Sequence, residues 1–270
     1  MLLCSDASDK GKTIWNVAKQ GTSKLLKKLD REKVNAYYIT VKGFQTNNKD
    51  RTNYTSIKVD VTDIDDNKPE MLKTTHNVSV MENSPVGTIL CVVSATDRDI
   101  GVNAKFGYKM NNTSVYFAVD ESTGLITVKA SVDRETIQSE ELKIYAEATN
   151  KTNWTSNFSI VHITVLDEND NTPKFNSSDY SIILKTIKNG SAVLKMNVSD
   201  PDEGSNGEFE CSMQPKSDSF VIRTELHGCV IYLTSSLNDT EQLLYTFDVT
   251  VKDKATDSTK IRVYFRNYSF

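Results

Sequence analysis

The residues best suited to chemistry lie in a short polar stretch near position 170. Residues 167–173 read Asp-Glu-Asn-Asp-Asn-Thr-Pro and follow the alternating apolar run 158–165. Their carboxylates and carboxamides are hard oxygen donors, and at this density they repel one another unless a cation lies among them. Calcium takes about six to eight such oxygens. The stretch therefore predicts a calcium-binding linker that follows a β-strand.

Three acidic motifs recur along the chain at a nearly constant offset. The pairs are residues 63–69 with 167–173, offset by 104 residues, and residues 30–32 with 133–135 and 97–103 with 200–206, each offset by 103. Three motifs that keep one spacing indicate a tandem array. Residues 63–69 and 167–173 are the first and second linkers.

The period divides the chain into three units. Residues 1–69 hold the C-terminal part of one repeat, without about a third of its length. Residues 70–173 carry every motif of a complete repeat, and residues 174–270 form a third. The array predicts that the chain is a segment of a longer protein.

Short alternating apolar runs separated by turn residues lie between the motifs. The predicted strands are residues 37–41, 54–61, 77–80, 88–93, 106–110, 125–128, 141–146, 159–165, 180–184, 192–196, 208–211, 229–233, 244–251 and 260–265. A polar turn is predicted over residues 47–50. Short strands with frequent turns and no helical periodicity predict an all-β, antiparallel sandwich.

These motifs resemble those of the cadherin superfamily. Its extracellular repeats carry a Glu in a Pro-Glu-Asn-like turn, then Asp-x-Asp-x-Gly-x-Asn, Asp-Arg-Glu and Asp-x-Asn-Asp-Asn-x-Pro. The matches here are residues 81–83, 97–103, 133–135 and 167–173. The resemblance covers essentially the whole chain and implies tandem seven-strand Greek-key, immunoglobulin-like β-sandwiches with termini at opposite ends.

The resemblance also implies calcium ligands at each linker, drawn from both neighbouring repeats and holding about three ions. For the second linker they are Glu82, Asp133, Glu135, Asp167, Glu168, Asn169, Asp170, Asn171, Asp200, Asp202, Asn206 and Asp253. Of these, Glu168, Asn171 and Asn206 are expected to offer main-chain oxygen. For the first linker they are Asp30, Glu32, Asp63, Asp65, Asp66, Asn67, Asp97, Asp99 and Asn103.

The first linker departs from the family pattern at two positions. Asp65 stands where the family has Asn, and Ala148 stands where a ligand Asp is expected. Both positions belong, in the family, to the same third calcium ion. One carboxylate is gained and one is lost, so we expect the first linker to bind calcium more weakly than the second.

Two other cation sites fit the motif at residues 97–103 poorly. An EF-hand loop needs a glutamate at its twelfth position, which counted from Asp97 is Tyr108. Magnesium retains several waters and prefers few protein oxygens. Calcium is therefore the predicted ion.

The far end of the third repeat lacks the ligand pattern. Lys185 occupies the glutamate position, Asn238 and Thr240 stand where Asp133 and Glu135 lie in the second repeat, and residues 254–270 contain no linker motif. We expect no calcium at that end.

Glycosylation acceptors indicate an extracellular protein. Asn-x-Ser/Thr occurs at Asn53, Asn77, Asn111, Asn112, Asn150, Asn153, Asn157, Asn176, Asn189, Asn197, Asn238 and Asn267. With a net charge of −4, the chain lacks the excess of basic residues that is typical of nucleic-acid-binding proteins. The sequence has no run of about 18 apolar residues, so we expect a membrane anchor only in a segment outside this chain.

The cysteines allow two interpretations. Cys4, Cys91, Cys211 and Cys229 show no CxxC spacing. Cys211 and Cys229 fall in predicted strands of one repeat, where they form either a disulfide or two small buried side chains. The three histidines, His76, His162 and His227, form no recognisable catalytic motif, and the sequence predicts no enzyme.

The predicted function is a segment of an adhesion ectodomain at the extracellular side of the plasma membrane, made rigid by calcium. Its expected partners are other cadherin-like ectodomains, either homophilic or heterophilic. The alternative is a receptor or spacer ectodomain that makes no adhesive contact itself.

Overall fold

The computed structural model describes residues 8–9, 12–13, 15–17, 23–45, 48–184, 187–235, 237, 244–254 and 258–267, with side chains at 24–43 and from 52 onwards within those ranges. Every regular element in these ranges is a β-strand, which confirms the all-β prediction. Within the same ranges, no helix is long and apolar enough to span a membrane.

The strands are β1 (Ser8–Asp9), β2 (Lys12–Thr13), β3 (Trp15–Val17), β4 (Ser23–Leu25), β5 (Ala36–Gln45), β6 (Asn48–Asp60), β7 (Glu70–Met71), β8 (Thr75–Met81), β9 (Ile89–Val92), β10 (Ala95–Thr96), β11 (Phe106–Met110), β12 (Phe117–Val119), β13 (Leu125–Val128), β14 (Ser139–Ala148), β15 (Ser159–Leu166), β16 (Lys174–Phe175), β17 (Tyr180–Leu184), β18 (Ala192–Ser199), β19 (Glu210–Gln214), β20 (Phe220–Glu225), β21 (Gly228–Leu233), β22 (Leu244–Lys252) and β23 (Ser258–Asn267).

Strands β7 to β15 build a sandwich, the middle unit. One sheet has the order β11-β14-β15-β8 and the other β12-β13-β9, while β10 pairs with β7. Burial alternates along β14 and β15, and Leu142, Ile144, Val161 and Ile163 pack with Ile126 of the opposite sheet in one core. If β7 with β8 and β9 with β10 each count as one interrupted strand, the unit has the seven strands of the predicted sandwich.

Strands β16 to β23 build the C-terminal unit on the same plan. Its sheets have the orders β16-β18-β21-β20 and β17-β23-β22-β19. Phe220 stacks on Phe265 at 5.1 Å between ring centroids, and Phe247 packs edge-on against both rings. Cys211 of β19 and Cys229 of β21 form a disulfide that joins the two sheets, which decides between the two interpretations left open by the sequence.

Each unit contains a parallel pair of strands, unlike the antiparallel pairing predicted throughout. β8 pairs with β15, and β17 pairs with β23. A chain that enters a sandwich at one end and leaves at the other gives its first and last strands the same direction. The parallel pairs therefore carry each chain segment from one linker to the next.

Local errors in the strand prediction have simple causes. β12 and β20 were not predicted, because β12 has only three residues and β20 ends in Arg-Thr-Glu, so neither shows a clear alternation. The turn predicted over residues 47–50 is wrong from Asn48 onwards, since β6 begins there and pairs with β5. Tertiary pairing overrides local polarity in this hairpin.

Candidate metal centres at the two linkers

Glu82 anchors the second linker from the end of β8. Its side chain is 1% exposed, and its carboxylate accepts hydrogen bonds from the backbone N–H groups of Arg134 at 2.8 Å and Glu168 at 2.7 Å. The next residue, Asn83, has a φ of 56°, a left-handed conformation that Asn tolerates better than most residues. This turn holds one carboxylate against two distant segments of the chain.

Three groups of acidic side chains follow one another across the second linker. In each group, one oxygen from every member lies within 4.8 Å of the others. The groups are Glu82 with Glu135 and Asp167, Glu135 with Asp170 and Asp202, and Asp200 with Asp202 and Asp253. Because Glu135 and Asp202 are each shared, the groups form a continuous line from the middle unit to the C-terminal unit.

The electrostatics of this line favour a bound cation. Burial, and after it the charge of Glu82, raises the pKa of Glu135, and burial raises the pKa of the Asp200 carboxyl. Among the described residues, Asn169 Oδ1 and Asp200 Oδ2 are buried oxygens that accept no hydrogen bond. Hard oxygen donors that are buried, crowded and short of hydrogen-bond donors fit a calcium ion.

Asp167 and Asp63 share one arrangement that the sequence did not predict. Asp167 Oδ2 accepts hydrogen bonds from the backbone N–H of Glu203 at 3.0 Å and the side chain of Asn206 at 2.8 Å. Asp63 Oδ2 accepts the equivalent bonds from Ile100 at 3.1 Å and Asn103 at 2.9 Å. Each aspartate therefore holds the acidic loop of the following unit by two hydrogen bonds, an arrangement that we call an aspartate clasp.

Glycine shapes both acidic loops that these aspartates hold. Gly101 and Gly204 have φ values of 63° and 57°. Residues with a Cβ rarely adopt this region, whereas glycine enters it without steric cost. The glycine of each motif thus allows the turn that aims its two aspartates at the linker.

The arginine of each Asp-Arg-Glu motif also enters the linker, which sequence reasoning missed. Arg134 Nη1 lies 3.2 Å from Asp167 Oδ1, and its Nη2 pairs with Glu203 of the C-terminal unit. Arg31 pairs with Asp63 and lies 2.7 Å from Glu32. The position of each arginine between two predicted acidic ligands in the sequence could have indicated this role. These guanidinium groups offset part of the carboxylate repulsion.

Asp133 and Asp30 are predicted ligands that lie outside the acidic groups. Asp133 accepts hydrogen bonds from the N–H of Glu135 at 3.0 Å and the hydroxyl of Thr136 at 2.9 Å, so it caps its own turn. Asp30 pairs with Lys33 in the corresponding turn. Both carboxylates serve local turns in this arrangement.

The asparagines of both linkers hydrogen-bond to the acidic side chains or to one another. Asn171 donates to both oxygens of Asp202, at 2.7 Å from its side chain and 3.3 Å from its backbone. Asn67 makes the same pair of bonds to Asp99, at 2.6 and 3.2 Å. The backbone oxygen of Asn206 points towards the linker, where the side chain of Asn169 donates to it at 3.3 Å.

The first linker has a shorter acidic line. Within the described residues its one such group is Glu32 with Asp66 and Asp99. Asp97 accepts the backbone N–H of Asp99 at 2.9 Å, and burial raises its pKa. Asp65 instead meets two polar side chains of the middle unit: Asn150 donates to its Oδ2 at 2.7 Å, and Lys151 Nζ lies 3.1 Å from its Oδ1.

The predicted lack of ligands at the far end of the third repeat depends on Lys185, Asn238 and Thr240. These three positions lie outside the described residues. The prediction therefore stays a prediction.

A family model and several known proteins match this chain. The family model described as "Cadherin domain" matches residues 76–166. Human protocadherin alpha-3 is 31% identical over 241 residues, which cover 87% of this chain and 25% of that protein. Mouse protocadherin Fat 4 is 31% identical over 203 residues, which cover 75% of this chain and 4% of that protein. The chain thus spans at most about a quarter of these relatives.

Solved structures show the same architecture. The extracellular domain of protocadherin gammaB4 superposes with a TM-score of 0.77 at 26% identity, covering 100% of this chain and 43% of that chain. Three repeats of mouse cadherin-23, EC22-24, superpose with a TM-score of 0.79 at 23% identity, covering 100% and 86%. The second of these establishes likeness of fold.

Proposed function

The chain belongs to the cadherin superfamily, and on that premise we propose that it is a segment of an adhesion ectodomain whose repeats are held in line by calcium. Members of this superfamily are adhesion proteins rather than enzymes, which confirms the prediction of no catalytic activity. The proposed repeats are residues 1–69, 70–173 and 174–270. The ligands are the residues assigned to the two linkers from the sequence.

The single observation that carries the proposal is the continuous acidic line across the second linker. Its first group belongs to the middle unit and the linker, and its last group, Asp200 with Asp202 and Asp253, belongs to the C-terminal unit. Carboxylates at these separations repel one another. Calcium bound along the line would replace that repulsion with attraction to both units, and so fix the angle between them.

The chain's own residues prepare this bridge. Glu82 is preset by two backbone hydrogen bonds, so a cation that binds there meets a carboxylate already in place. The aspartate clasps of both linkers hold the next acidic loop close through hydrogen bonds of the protein itself. Rigidity of the array is thus the property that calcium would supply.

The parent protein would display these repeats at the extracellular side of the plasma membrane, anchored by a segment outside this chain. Its partners would be other cadherin-like ectodomains, of the same or another kind. Relatives of this chain are extracellular parts of plasma-membrane proteins, and the match covers only 25% of protocadherin alpha-3. An adhesive surface of the whole protein is therefore also part of the proposal.

Bead aggregation combined with small-angle scattering tests the proposal. Millimolar calcium should extend and stiffen the chain, chelator should reverse the change, and beads that carry the parent ectodomain should aggregate only with calcium. A scattering profile unaffected by calcium would overturn the rigidifying role. Stiffening without aggregation, for both identical and mixed partners, would favour a spacer over an adhesive ectodomain.

A further inference from the structure

The side chain of Lys151 places a positive charge at the first linker. Its ammonium donates a hydrogen bond to the backbone oxygen of Asp65 and lies 3.1 Å from Asp65 Oδ1. The same ammonium lies 3.6 Å from the centroid of the Trp154 ring. An aromatic face attracts a cation, so Trp154 and Asp65 hold the charge from two sides.

The strand registers show which position of the linker this charge serves. Gly107 and Glu210 are equivalent positions, because they are separated by the motif offset of 103 residues. Gly107 pairs with Glu147 in the middle unit, and Glu210 pairs with Lys252 in the C-terminal unit. The residue after Glu147 is Ala148, and the residue after Lys252 is Asp253. Ala148 is therefore the structural counterpart of Asp253.

Asp253 closes the outer acidic group of the second linker, with Asp200 and Asp202. At the first linker the counterparts of those two are Asp97 and Asp99, and the missing third carboxylate is matched by the methyl group of Ala148. Asp65 replaces the neutral Asn169 there, and its carboxylate is the one that Lys151 contacts.

Charge and ligand number both change at this outer position. The second linker offers three carboxylates and a neutral amide, whereas the first offers three carboxylates and an ammonium, one negative charge fewer. The ammonium is hydrogen-bonded to the backbone oxygen of Asp65 and lies 3.1 Å from Asp65 Oδ1, a buried oxygen that accepts no hydrogen bond from the described residues, so it occupies the space beside an oxygen that a metal ion would need. A divalent cation arriving there meets a like charge and fewer available oxygens.

We propose that the Lys151 ammonium is the resident cation at the outer position of the first linker, so that this linker takes one calcium ion fewer than the second. The inference rests on the proposed calcium function and refines it. The contact joins the loop after β14 to the linker without any metal. The first linker therefore keeps one ionic bridge when calcium is removed.

Native mass spectrometry of the full chain in calcium counts the ions directly. The variant Lys151→Met with Ala148→Asp removes the ammonium and places a carboxylate at the position equivalent to Asp253, and it should carry one calcium ion more than the wild type. The matched control is Lys68→Met with Ala148→Asp, because Lys68 lies 5.8 Å from the same Trp154 ring and, in the described part of the chain, makes no ion pair with Asp65. The control should not gain the ion.

Equal calcium counts in the wild type and the Lys151→Met double variant would overturn the inference. A control variant that gains the ion as readily would also overturn it, since the carboxylate alone would then suffice. No bound calcium in any of the proteins would instead remove the proposed function itself. The two failures are therefore distinct.

A second measurement avoids the buried substitution at position 148. Terbium bound near Trp154 is excited through its indole, so Lys151→Met alone, in a Trp15→Phe background, should raise terbium luminescence and tighten terbium binding about tenfold relative to the same background with Lys151 intact. Lys151→Arg, which keeps the charge, should leave both unchanged. Equal luminescence titrations for Lys151 and Met at this position would contradict the resident ammonium.

Discussion

Replacing Glu82 by glutamine tests the anchor of the second linker with the smallest change in shape. Glu82 is buried, and its two oxygens accept the N–H groups of Arg134 and Glu168. Glutamine retains one acceptor but turns an N–H₂ group towards the other backbone donor. The variant also removes one of the three carboxylates that lie within 4.8 Å of one another.

The expected effect of Glu82→Gln on stability differs between the calcium-free and the calcium-bound states. Two unit charges at the upper limit of 4.8 Å repel by about 3.5 kcal/mol at an effective dielectric constant of about 20. Loss of that repulsion is offset by a buried donor without an acceptor, which costs about 1–3 kcal/mol. The calcium-free stability of the variant should therefore stay near that of the wild type.

Calcium should stabilise the variant much less than the wild type. A site with calcium at a hundredfold excess over its Kd contributes about 2.7 kcal/mol to the free energy of unfolding. A tenfold loss of affinity removes about 1.4 kcal/mol of this. For a unit of about 100 residues, that lowers the calcium-induced rise in Tm by roughly 5–10 °C.

Differential scanning calorimetry in chelator and in millimolar calcium measures both states. Glu141→Gln is the matched control, because it makes the same chemical change at a side chain 46% exposed on β14. The control should keep the full calcium-induced rise in Tm. A Glu82→Gln variant that kept the wild-type rise would refute the reasoning that Glu82 is a calcium ligand.

Three further predictions follow from the same geometry. Asp167→Ala removes charged hydrogen bonds to the loop at residues 200–206, worth about 2–3 kcal/mol of unfolding free energy. It also removes both the repulsion within its acidic group and the ion pair with Arg134, which offset each other. Tm in chelator should therefore fall, whereas Asp179→Ala should leave it unchanged; equal melting curves would argue against the clasp. Burial raises the pKa values of Asp97 and Asp200 above 3.8, so the folded chain binds protons more tightly than the unfolded chain. In chelator, this contribution to stability is fully present at low pH and is lost as pH rises from 3.8 through the raised pKa values. Calcium affinity, measured by calorimetric titration, should fall as pH drops into the same window. Reduction of the Cys211–Cys229 disulfide, which joins residues 18 positions apart, should destabilise the C-terminal unit by about 3 kcal/mol. A melting curve unaffected by reductant would contradict this prediction. A Cys211→Ala, Cys229→Ala variant is the control that shows whether the reductant acts elsewhere.

The sequence by itself determined the tandem motifs, the all-β class, most of the longer strands and the residue types of the linkers. Alternation along runs such as residues 159–165 identifies strands because one face of a sandwich strand is buried. The repeated offset identifies the array because each unit reuses the same acidic motifs. Ala148 could be recognised as a missing ligand since aligned strands carry equivalent positions, and the register now places it opposite Phe106.

Only the tertiary structure decided which oxygens and cations meet. Asp133 and Asp167 both look like ligands in the sequence, yet one caps its own turn and the other clasps the next loop. Neither Arg134 nor Lys151 was predicted to enter a linker. Their positions depend on side-chain torsions and on contacts between segments far apart in the chain, as between Lys151 and Asp65, which are 86 residues apart. Residue types fix the available chemistry, whereas folding fixes the distances at which it acts.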